Sequence, residues 1–242
     1  MSRQDTVWQD RELVKSFLGG VRGAIPLATE QIDMMLRVIV GFRGDNVRSF
    51  IDLGCGDGVL AQAMLATYPD AKAVLYDFSQ PMLDAAVERL NDDDAVVIQG
   101  DYAPVGWVAA LAVHTPFDVI VSGYSIHHQP DDVKKRLYQQ IFDMLAPGGV
   151  FLNLEHVSSP SPEVTRIFDE LFLDSLVIHS RAEGSTQTRE EIGQKYYYRP
   201  DKDANILAPV EDQCAWLREV GYTHVDCYFK VFELALFGGV KP

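Results

Sequence analysis

Three glycines stand at alternate positions, preceded by an aspartate, in one short segment at the end of an apolar run, Asp52-Leu53-Gly54-Cys55-Gly56-Asp57-Gly58. Glycines at alternate positions permit a positive φ and let a ligand approach the backbone closely. The spacing is not the G-x-G-x-x-G of a dinucleotide cradle, because the third glycine comes one place early and residue 59 is valine. The segment predicts a ligand-binding loop, with an ordinary tight turn between a strand and a helix as the alternative.

Acidic residues follow the next two apolar runs. Asp77 ends the second run, about 20 residues past the glycine loop, where an acid accepts hydrogen bonds from ribose hydroxyls in nucleotide-binding folds. Asp101 ends the third run and could accept from an adenine amino group, while Phe78 or Tyr102 stacks on the ring. One strand-end acid is unremarkable, but three successive strand ends with an acid or a glycine turn predict a nucleoside-binding edge.

Groups able to move a proton follow the fourth and fifth apolar runs. His127, next to His128, titrates near neutral pH and could act as a base, although capping or packing of the next helix is the alternative. Glu155 could orient an amine if it points into the crevice, and His156 would then face away by strand alternation. We predict Tyr124, His127 and Glu155 as the catalytic residues. No carboxylate or cysteine stands at ligand spacing from the two histidines, so no metal is predicted.

Alternating elements must position these residues. Apolar strands are predicted over residues 47–53, 71–76, 95–99, 117–122 and 150–156, separated by amphipathic helices. Such alternation predicts a parallel, doubly wound sheet whose ligand crevice lies at the carboxyl ends of the strands. The last helix before the fifth strand is expected to point Lys134, Lys135 and Arg136 outward. Two closing strands, 223–229 and 231–237, are joined too tightly for a crossover and must pair antiparallel.

The remaining segments suggest an arrangement around one domain. We expect an N-terminal helical cap over 1–46, a cofactor-binding core over 47–157, a lid insertion over 158–209, and a closing helix and hairpin over 210–242. A long insertion after the fifth strand would cover the crevice. The cap brings Trp8, Phe17 and Arg22, which could close the other side.

Composition bounds the class of protein. The chain has 242 residues, 47% of them apolar and 23% charged, with a net charge of −14. These fractions predict a globular protein with a sizeable core. The acidic balance argues against a nucleic-acid surface, and no apolar run approaches the ~18 residues that span a bilayer. No signal pattern is present at the N-terminus, and the three cysteines lack CxxC spacing and indicate free thiols. A cytoplasmic location is therefore expected.

Residues from about 47 to 156 resemble the class I S-adenosylmethionine-dependent methyltransferases. The loop at residues 52–58 matches that family's D-x-G-x-G-x-G motif, and Asp77, Gly100-Asp101, the fourth strand 117–122 and Pro147-Gly148-Gly149 follow in the expected order. The resemblance implies a seven-stranded Rossmann-like sheet with an antiparallel last strand and a helical lid, with S-adenosyl-L-methionine as the cofactor. The implied cofactor-binding residues are Asp52, Gly54, Cys55, Gly56, Gly58, Asp77, Phe78, Met82, Gly100, Asp101, Tyr102 and Ser122.

The whole chain is also similar to the bacterial carboxy-S-adenosylmethionine synthases that serve tRNA wobble-uridine modification. The Arg22…Pro26 entry, the long insertion and the segment Ala215-Trp216-Leu217…Gly221-Tyr222 carry this likeness. That family has an arginine in the late helix that grips the extra carboxylate, and Trp216 stands at the matching position here. A neutral indole cannot replace a cationic fork, which favours ordinary S-adenosylmethionine. Arg199 or Arg22 is left as a substitute for the missing arginine.

These observations favour an enzyme that methylates a small molecule on O, N or S by in-line displacement. Carboxy-S-adenosylmethionine synthesis from prephenate and a cofactor-binding regulator without turnover are the alternatives. Direct RNA methylation would need a basic patch around Arg181, Arg189, Lys195 and Arg199. The acceptor, its reacting atom and a homodimeric state are left open. The predicted acceptor pocket consists of Arg22, Tyr196, Tyr197, Tyr198, Arg199 and Trp216.

Overall fold

A seven-stranded sheet organises the chain, in the order β3-β2-β1-β4-β5-β7-β6. The structure is a computed structural model that describes residues 5–90 and 95–242, so the first four residues of the predicted cap lie outside the described residues. The strands are β1 (Ser49–Leu53), β2 (Lys72–Asp77), β3 (Val96–Gln99), β4 (Phe117–Gly123), β5 (Leu145–His156), β6 (Thr223–Val231) and β7 (Leu234–Val240). β7 runs antiparallel to both of its neighbours. The predicted fold class and closing hairpin are confirmed.

Eight α-helices flank the sheet in the described part of the chain. They are α1 (Arg11–Ser16), α2 (Ala28–Arg43), α3 (Val59–Thr67), α4 (Gln80–Leu90), α5 (Asp131–Met144), α6 (Pro162–Ala182), α7 (Arg189–Tyr197) and α8 (Val210–Val220). Local sequence sets several of these ends. Thr188 and Glu191 form a reciprocal capping box at α7, and Gly221, at φ 112°, ends α8.

The two faces of the sheet bury separate apolar clusters. On one face, α2, α3 and α4 cover residues such as Phe50, Leu75 and Val121. On the other face, α5 and α8 cover Ile51 and Phe151, among others. Parallel strands buried on both sides read as continuous apolar runs, which is the pattern of this sequence.

Strand register brings the chemically promising residues to one edge. Leu53 pairs with Tyr76, and Asp52 pairs with Val121. The residues that follow β1, β2 and β4 therefore emerge side by side, as expected for the carboxyl ends of parallel strands. Two further segments pack over this edge, the short helical turns before α2 and the pair α6–α7.

The structure corrects one prediction for α5. Lys134 was expected to point outward with its neighbours, but its side chain is buried. Its ammonium donates to Asp131 Oδ1 at 2.9 Å and to the Ile206 carbonyl at 2.5 Å. Because segment 158–209 folds back over α5, this lysine has a carboxylate and a carbonyl in place of water. No helix in residues 5–90 and 95–242 is long and apolar enough to cross a membrane.

Candidate active site

The glycine loop is a tight turn in which several backbone N–H groups donate to the protein itself. Gly54, Gly56 and Gly58 have φ values of 67°, 52° and 74°. The N–H groups of Gly54 and Cys55 donate to the Tyr76 carbonyl at 2.7 and 3.2 Å. Gly58 N–H donates to the Cys55 carbonyl at 2.9 Å. The loop therefore offers a ligand its carbonyl oxygens and its lack of side chains, rather than a nest of free N–H donors.

Asp77 connects this loop to the start of α4. Its Oδ2 accepts from Gly56 N–H at 2.9 Å and its Oδ1 from Ser79 N–H at 2.8 Å. Burial raises the pKa of Asp77 to about 6, against the opposing effect of these backbone hydrogen bonds. Each carboxylate oxygen keeps a second lone pair, so the side chain can still accept from ribose hydroxyls.

Asp52 carries an unsatisfied acceptor beside the loop. Its Oδ2 accepts from Ala61 N–H at 3.0 Å, whereas its buried Oδ1 has no hydrogen-bond partner among the described residues. Burial is the main cause that raises the pKa of this carboxyl to about 7. An orphaned buried acceptor suits a bound donor such as an ammonium group. The site thus fits the amino-acid end of S-adenosylmethionine.

The loop, β2 and the N-terminal segment enclose a cleft, called here the glycine-loop cleft. Among the predicted cofactor residues, those lining it are Asp52, Gly54, Cys55, Gly56, Asp77, Phe78 and Met82. Trp8, Phe17 and Arg22 line it from the N-terminal side, where they were expected to close the crevice. Arg22 Nε lies 3.3 Å from Asp57 Oδ1, and Arg89 pairs with the other oxygen of Asp57. This arginine therefore belongs to the cleft wall rather than to an acceptor pocket.

The other predicted cofactor residues pack behind the wall or beside it. Ser122 is fully buried, and its hydroxyl donates to the Leu53 carbonyl at 2.7 Å. Tyr102 is bonded to the Ser125 hydroxyl at 2.6 Å. A Cβ on Gly58 would lie 3.1 Å from Ala86, and one on Gly100 would lie 2.3 Å from Tyr76 Oη. Asp101 accepts from Ala103 N–H at 2.8 Å. Sequence could not separate these close-packing roles from ligand contacts, since both select small or polar residues at strand ends.

A second cavity, called here the histidine cavity, adjoins the cleft. Its volume is about 340 Å³. It is lined by His127, His128 and His156 from the sheet edge and by Phe168, Phe172 and Tyr196 from α6 and α7. The residues that line both spaces are Trp8, Phe17, Ile25, Tyr124 and His128. The two spaces are therefore neighbours across one shared wall.

Tyr124 stands at that shared wall in an unusual conformation. It has φ 52°, although it is not glycine, and such strain persists only where the surroundings hold it. Its hydroxyl donates to Gln31 Oε1 of α2, and Gln31 in turn donates to the Pro26 carbonyl at 2.7 Å. Tyr124 therefore lies between the two spaces, as expected for a residue near a reacting group.

His127 and Glu155 form a buried pair in the wall. His127 Nδ1 lies 2.6 Å from Glu155 Oε1. Burial, the largest cause, holds the pKa of His127 well below its ordinary value, and burial raises that of Glu155 to about 7. Glu155 is fully buried behind His127 and does not point into the crevice. Two of the predicted catalytic residues thus meet, with Glu155 orienting His127.

His128 links the N-terminal segment to the insertion. Trp8 Nε1–H donates to His128 Nε2 at 3.1 Å, and His128 Nδ1 contacts the Ala204 carbonyl at 3.1 Å. Burial is the chief reason that the pKa of His128 falls to about 3. This histidine is therefore a neutral bridge between two covering segments.

The structure places His156 in the cavity; it was expected to face away only if Glu155 pointed into the crevice, and Glu155 is buried instead. Its Nε2 lies 2.8 Å from Glu233 Oε2, and Ser159 Oγ donates to Glu233 Oε1 at 2.5 Å. Strand alternation predicted opposite faces for residues 155 and 156 correctly, but α6 covers the end of β5, so both faces are enclosed. The Phe168 ring, on α6, lies 5.5 Å from that of His156. Glu233 gave no sequence signal, because its partners are distant in the chain.

The predicted acceptor residues on and after α7 lie in different surroundings. Tyr196 and Arg199 line the histidine cavity, and Tyr196 stacks on Phe172 at 5.3 Å. Tyr197, the last residue of α7, and Tyr198, which follows it, are 39% and 79% exposed. The aromatic run is therefore partly wall and partly surface, since successive helical residues point in different directions.

Trp216 is the clearest correction. It lies on α8, half-buried against the core cluster that α5 covers, with the Lys135 ammonium 4.8 Å from its ring centre. The structure does not bring it to the cleft or the cavity. The identity of residue 216 therefore bears on neither ligand, and the inference it carried against a carboxylated cofactor is withdrawn.

Comparisons with known proteins agree with this geometry. A family profile described as a methyltransferase domain matches residues 50–149. The carboxy-S-adenosyl-L-methionine synthase of Aeromonas hydrophila is 26% identical over 238 residues, covering 96% of this chain and 89% of that protein. The demethylmenaquinone methyltransferase of a Roseiflexus species is 25% identical over 176 residues, covering 72% of this chain and 68% of that protein.

Solved structures show the same fold. A structure of PigF with SAH superposes with a TM-score of 0.63 at 19% identity, covering 100% of this chain and 62% of that one. An O-methyltransferase family protein from Burkholderia thailandensis gives a TM-score of 0.60 at 15% identity, covering 86% of this chain and 55% of that one. The chain thus spans about three-fifths of the length of these structures or less. With its glycine loop and strand order, the chain therefore contains a methyltransferase domain over residues 50–149, has the fold of S-adenosylmethionine-dependent methyltransferases, and is similar over most of its length to the carboxy-S-adenosyl-L-methionine synthases.

Proposed function

We propose that this enzyme transfers a methyl group from S-adenosylmethionine to an oxygen, nitrogen or sulfur atom of a small molecule held in the histidine cavity. One observation carries the proposal. The glycine-loop cleft and the histidine cavity share Tyr124 and His128 at the end of β4. A methyl donor in the first space and an acceptor in the second would meet there, as in-line transfer requires.

In the cleft, the chain's own residues have separable tasks. Asp77 would accept from the ribose hydroxyls while it holds Gly56 and Ser79 in place. The orphaned Oδ1 of Asp52 would accept from the ammonium group, and Phe78 and Met82 supply apolar contacts. When bound, S-adenosylmethionine supplies an electrophilic methyl group on a sulfonium, so the protein's main work is orientation and exclusion of water.

In the cavity, apolar walls surround a few polar groups. Phe168, Phe172 and Tyr196 face His156 and Arg199 across the space. This balance suits a small acceptor with an apolar or aromatic body and one or two polar groups. The predicted cap and lid each supply part of the wall, which supports the division of the chain proposed above.

The carboxy-S-adenosylmethionine synthase activity is a second candidate, supported by a specific observation. Nε and Nη1 of Arg199 are buried and make no hydrogen bond among the described residues, while Nη2 lies 3.1 Å from Asp201 Oδ2. A guanidinium with unused donors in the cavity wall could donate hydrogen bonds to the extra carboxylate. The likeness to those synthases also extends over 96% of the chain.

The two functions differ in their products. The protein would be incubated with S-adenosylmethionine labelled in its methyl carbon and with a panel of phenols, alcohols, amines and thiols, and separately with prephenate. Mass spectrometry of the mixtures should find S-adenosylhomocysteine together with a labelled, methylated acceptor. A carboxylated form of the cofactor in the prephenate mixture would replace the first proposal with the second. Neither product from folded, cofactor-binding protein would support the regulator without turnover.

A further inference from the structure

We propose that His156, held by Glu233, is the base that takes the proton from the methyl acceptor, with Ser159 donating to the other oxygen of Glu233. The inference rests on the proposed methyl transfer and adds a role that the predicted trio of Tyr124, His127 and Glu155 did not include. It is drawn from a comparison of the two histidine–carboxylate pairs that meet at the cavity, whose imidazole rings lie 5.7 Å apart.

His156 has a ring nitrogen available for a ligand. His156 uses Nε2 for Glu233, at 2.8 Å, and Nδ1 makes no hydrogen bond in the part of the chain that the structure describes. Its side chain is 21% exposed, against 4% for Glu233. His127 also uses one ring nitrogen, for Glu155, but its side chain is only 8% exposed. His156 is therefore the more accessible ring of this pair.

The tautomer of His156 follows from its contact with Glu233. Hydrogen bonds from His156 and Ser159 outweigh the effect of burial and hold the pKa of Glu233 below its usual value. A carboxylate can only accept, so His156 Nε2 carries the hydrogen and the lone pair lies on Nδ1. The pair therefore has the arrangement of a general base oriented by a carboxylate.

A base that takes a proton becomes positively charged, and a nearby carboxylate must compensate that charge. Glu155 has a pKa raised to about 7 by burial, so near neutral pH it is poorly suited to balance a new positive charge. Glu233 stays ionised beside His156 and can stabilise the imidazolium. The remaining charged groups that line this part of the cavity are Asp169, Arg199, Asp201 and Lys202. They are already paired, Arg199 with Asp201 at 3.1 Å and Lys202 with Asp169 at 3.4 Å.

The reaction then balances as follows. The acceptor's heteroatom gives its proton to His156 Nδ1 while its electron pair forms the bond to the methyl carbon. The carbon–sulfur bond breaks, and its electron pair remains on sulfur, which becomes a neutral thioether. The imidazolium of His156, paired with Glu233, returns the proton to water after the product leaves.

Histidine NMR tests the arrangement without turnover. The chain has six histidines, so ¹H–¹⁵N spectra of the ¹⁵N-labelled full-length protein with S-adenosylhomocysteine can be assigned by single substitutions. We expect His156 to carry its hydrogen on Nε2 at neutral pH, and Glu233→Ala to weaken that tautomeric preference. His127 should be neutral at the same pH. A His156 hydrogen on Nδ1, or a tautomer unchanged in Glu233→Ala, would overturn the proposal.

Kinetics provide the second readout, with an acceptor found in the panel above. His156→Gln should lower kcat by about a hundredfold or more with a small change in KM. His156→Ala should regain activity with added imidazole, which a merely structural role would not allow. His114→Gln, in a loop outside the cavity, is the matched control. Wild-type transfer with an unaffected His156→Gln would reject this inference alone, whereas no wild-type transfer to any acceptor would reject the proposed function.

Discussion

Gly54 shows how tightly the site is built at the scale of single residues. A Cβ at this position would lie 1.9 Å from Ser125 Oγ, and the residue has φ 67°. Gly54→Ala should therefore destabilise the fold by about 2 kcal/mol or more, through strain and displacement of Ser125. Thermal unfolding would measure this loss of stability. Gly19→Ala is the control, because nothing lies within 4 Å of a Cβ at residue 19. Equal melting temperatures for the two variants would refute the packing described here.

Asp52 predicts a pH dependence of stability. Burial raises its pKa from 3.8 to about 7, so between those values the folded state binds more protons than the unfolded state. Its contribution to stability is present below the unfolded pKa and is lost as pH rises through about 7. The free energy of unfolding of the wild type, relative to Asp52→Asn, should fall by more than about 1 kcal/mol from pH 4 to pH 7. Denaturant titrations of both proteins would measure this, and a difference independent of pH would contradict it.

At the scale of elements, covering segments connect the two spaces. Trp8 donates to His128 and its ring lies 5.0 Å from Phe17, in an edge-on contact. Trp8→Ala would open the shared wall, and we expect S-adenosylhomocysteine to dissociate roughly tenfold faster by stopped-flow displacement. Trp8→Phe keeps an aromatic ring without the N–H, and its dissociation rate should lie between those of the wild type and Trp8→Ala. Dissociation rates that do not differ among the three proteins would show that the segment does not close the cleft.

Elements of the core were predictable because their burial follows the local pattern. The helix over 59–67 and the strand ends at Asp77 and Gln99 emerged where the apolar runs predicted them. The positions of Lys134, His156 and Trp216 could not be predicted, for a different reason. Their surroundings depend on segment 158–209 and on the packing of α8. The hydrophobic periodicity of the sequence next to each residue does not reveal these contacts. The glycine loop could be predicted, whereas the partner of His156 could not.

In the whole molecule, the glycine-loop cleft and the histidine cavity lie side by side, and two segments cover them. The strand edge supplies Asp52, Asp77 and the histidines, and the N-terminal segment and the α6–α7 pair enclose them. A net charge of −14 gives no general attraction for nucleic acid. On the proposed function, selectivity for the acceptor would lie in the histidine cavity, and affinity for the methyl donor in the glycine-loop cleft.

The most direct test of this division is calorimetric titration of the protein with S-adenosylmethionine. We predict one site per chain in the wild type. Asp77→Ala should weaken affinity at least about tenfold, because it removes both the ribose acceptor and the anchor for Gly56 and Ser79. Asp70→Ala, an exposed aspartate away from the cleft, should bind like the wild type. No binding by folded wild-type protein, or unchanged affinity in Asp77→Ala, would contradict the assignment of the cleft.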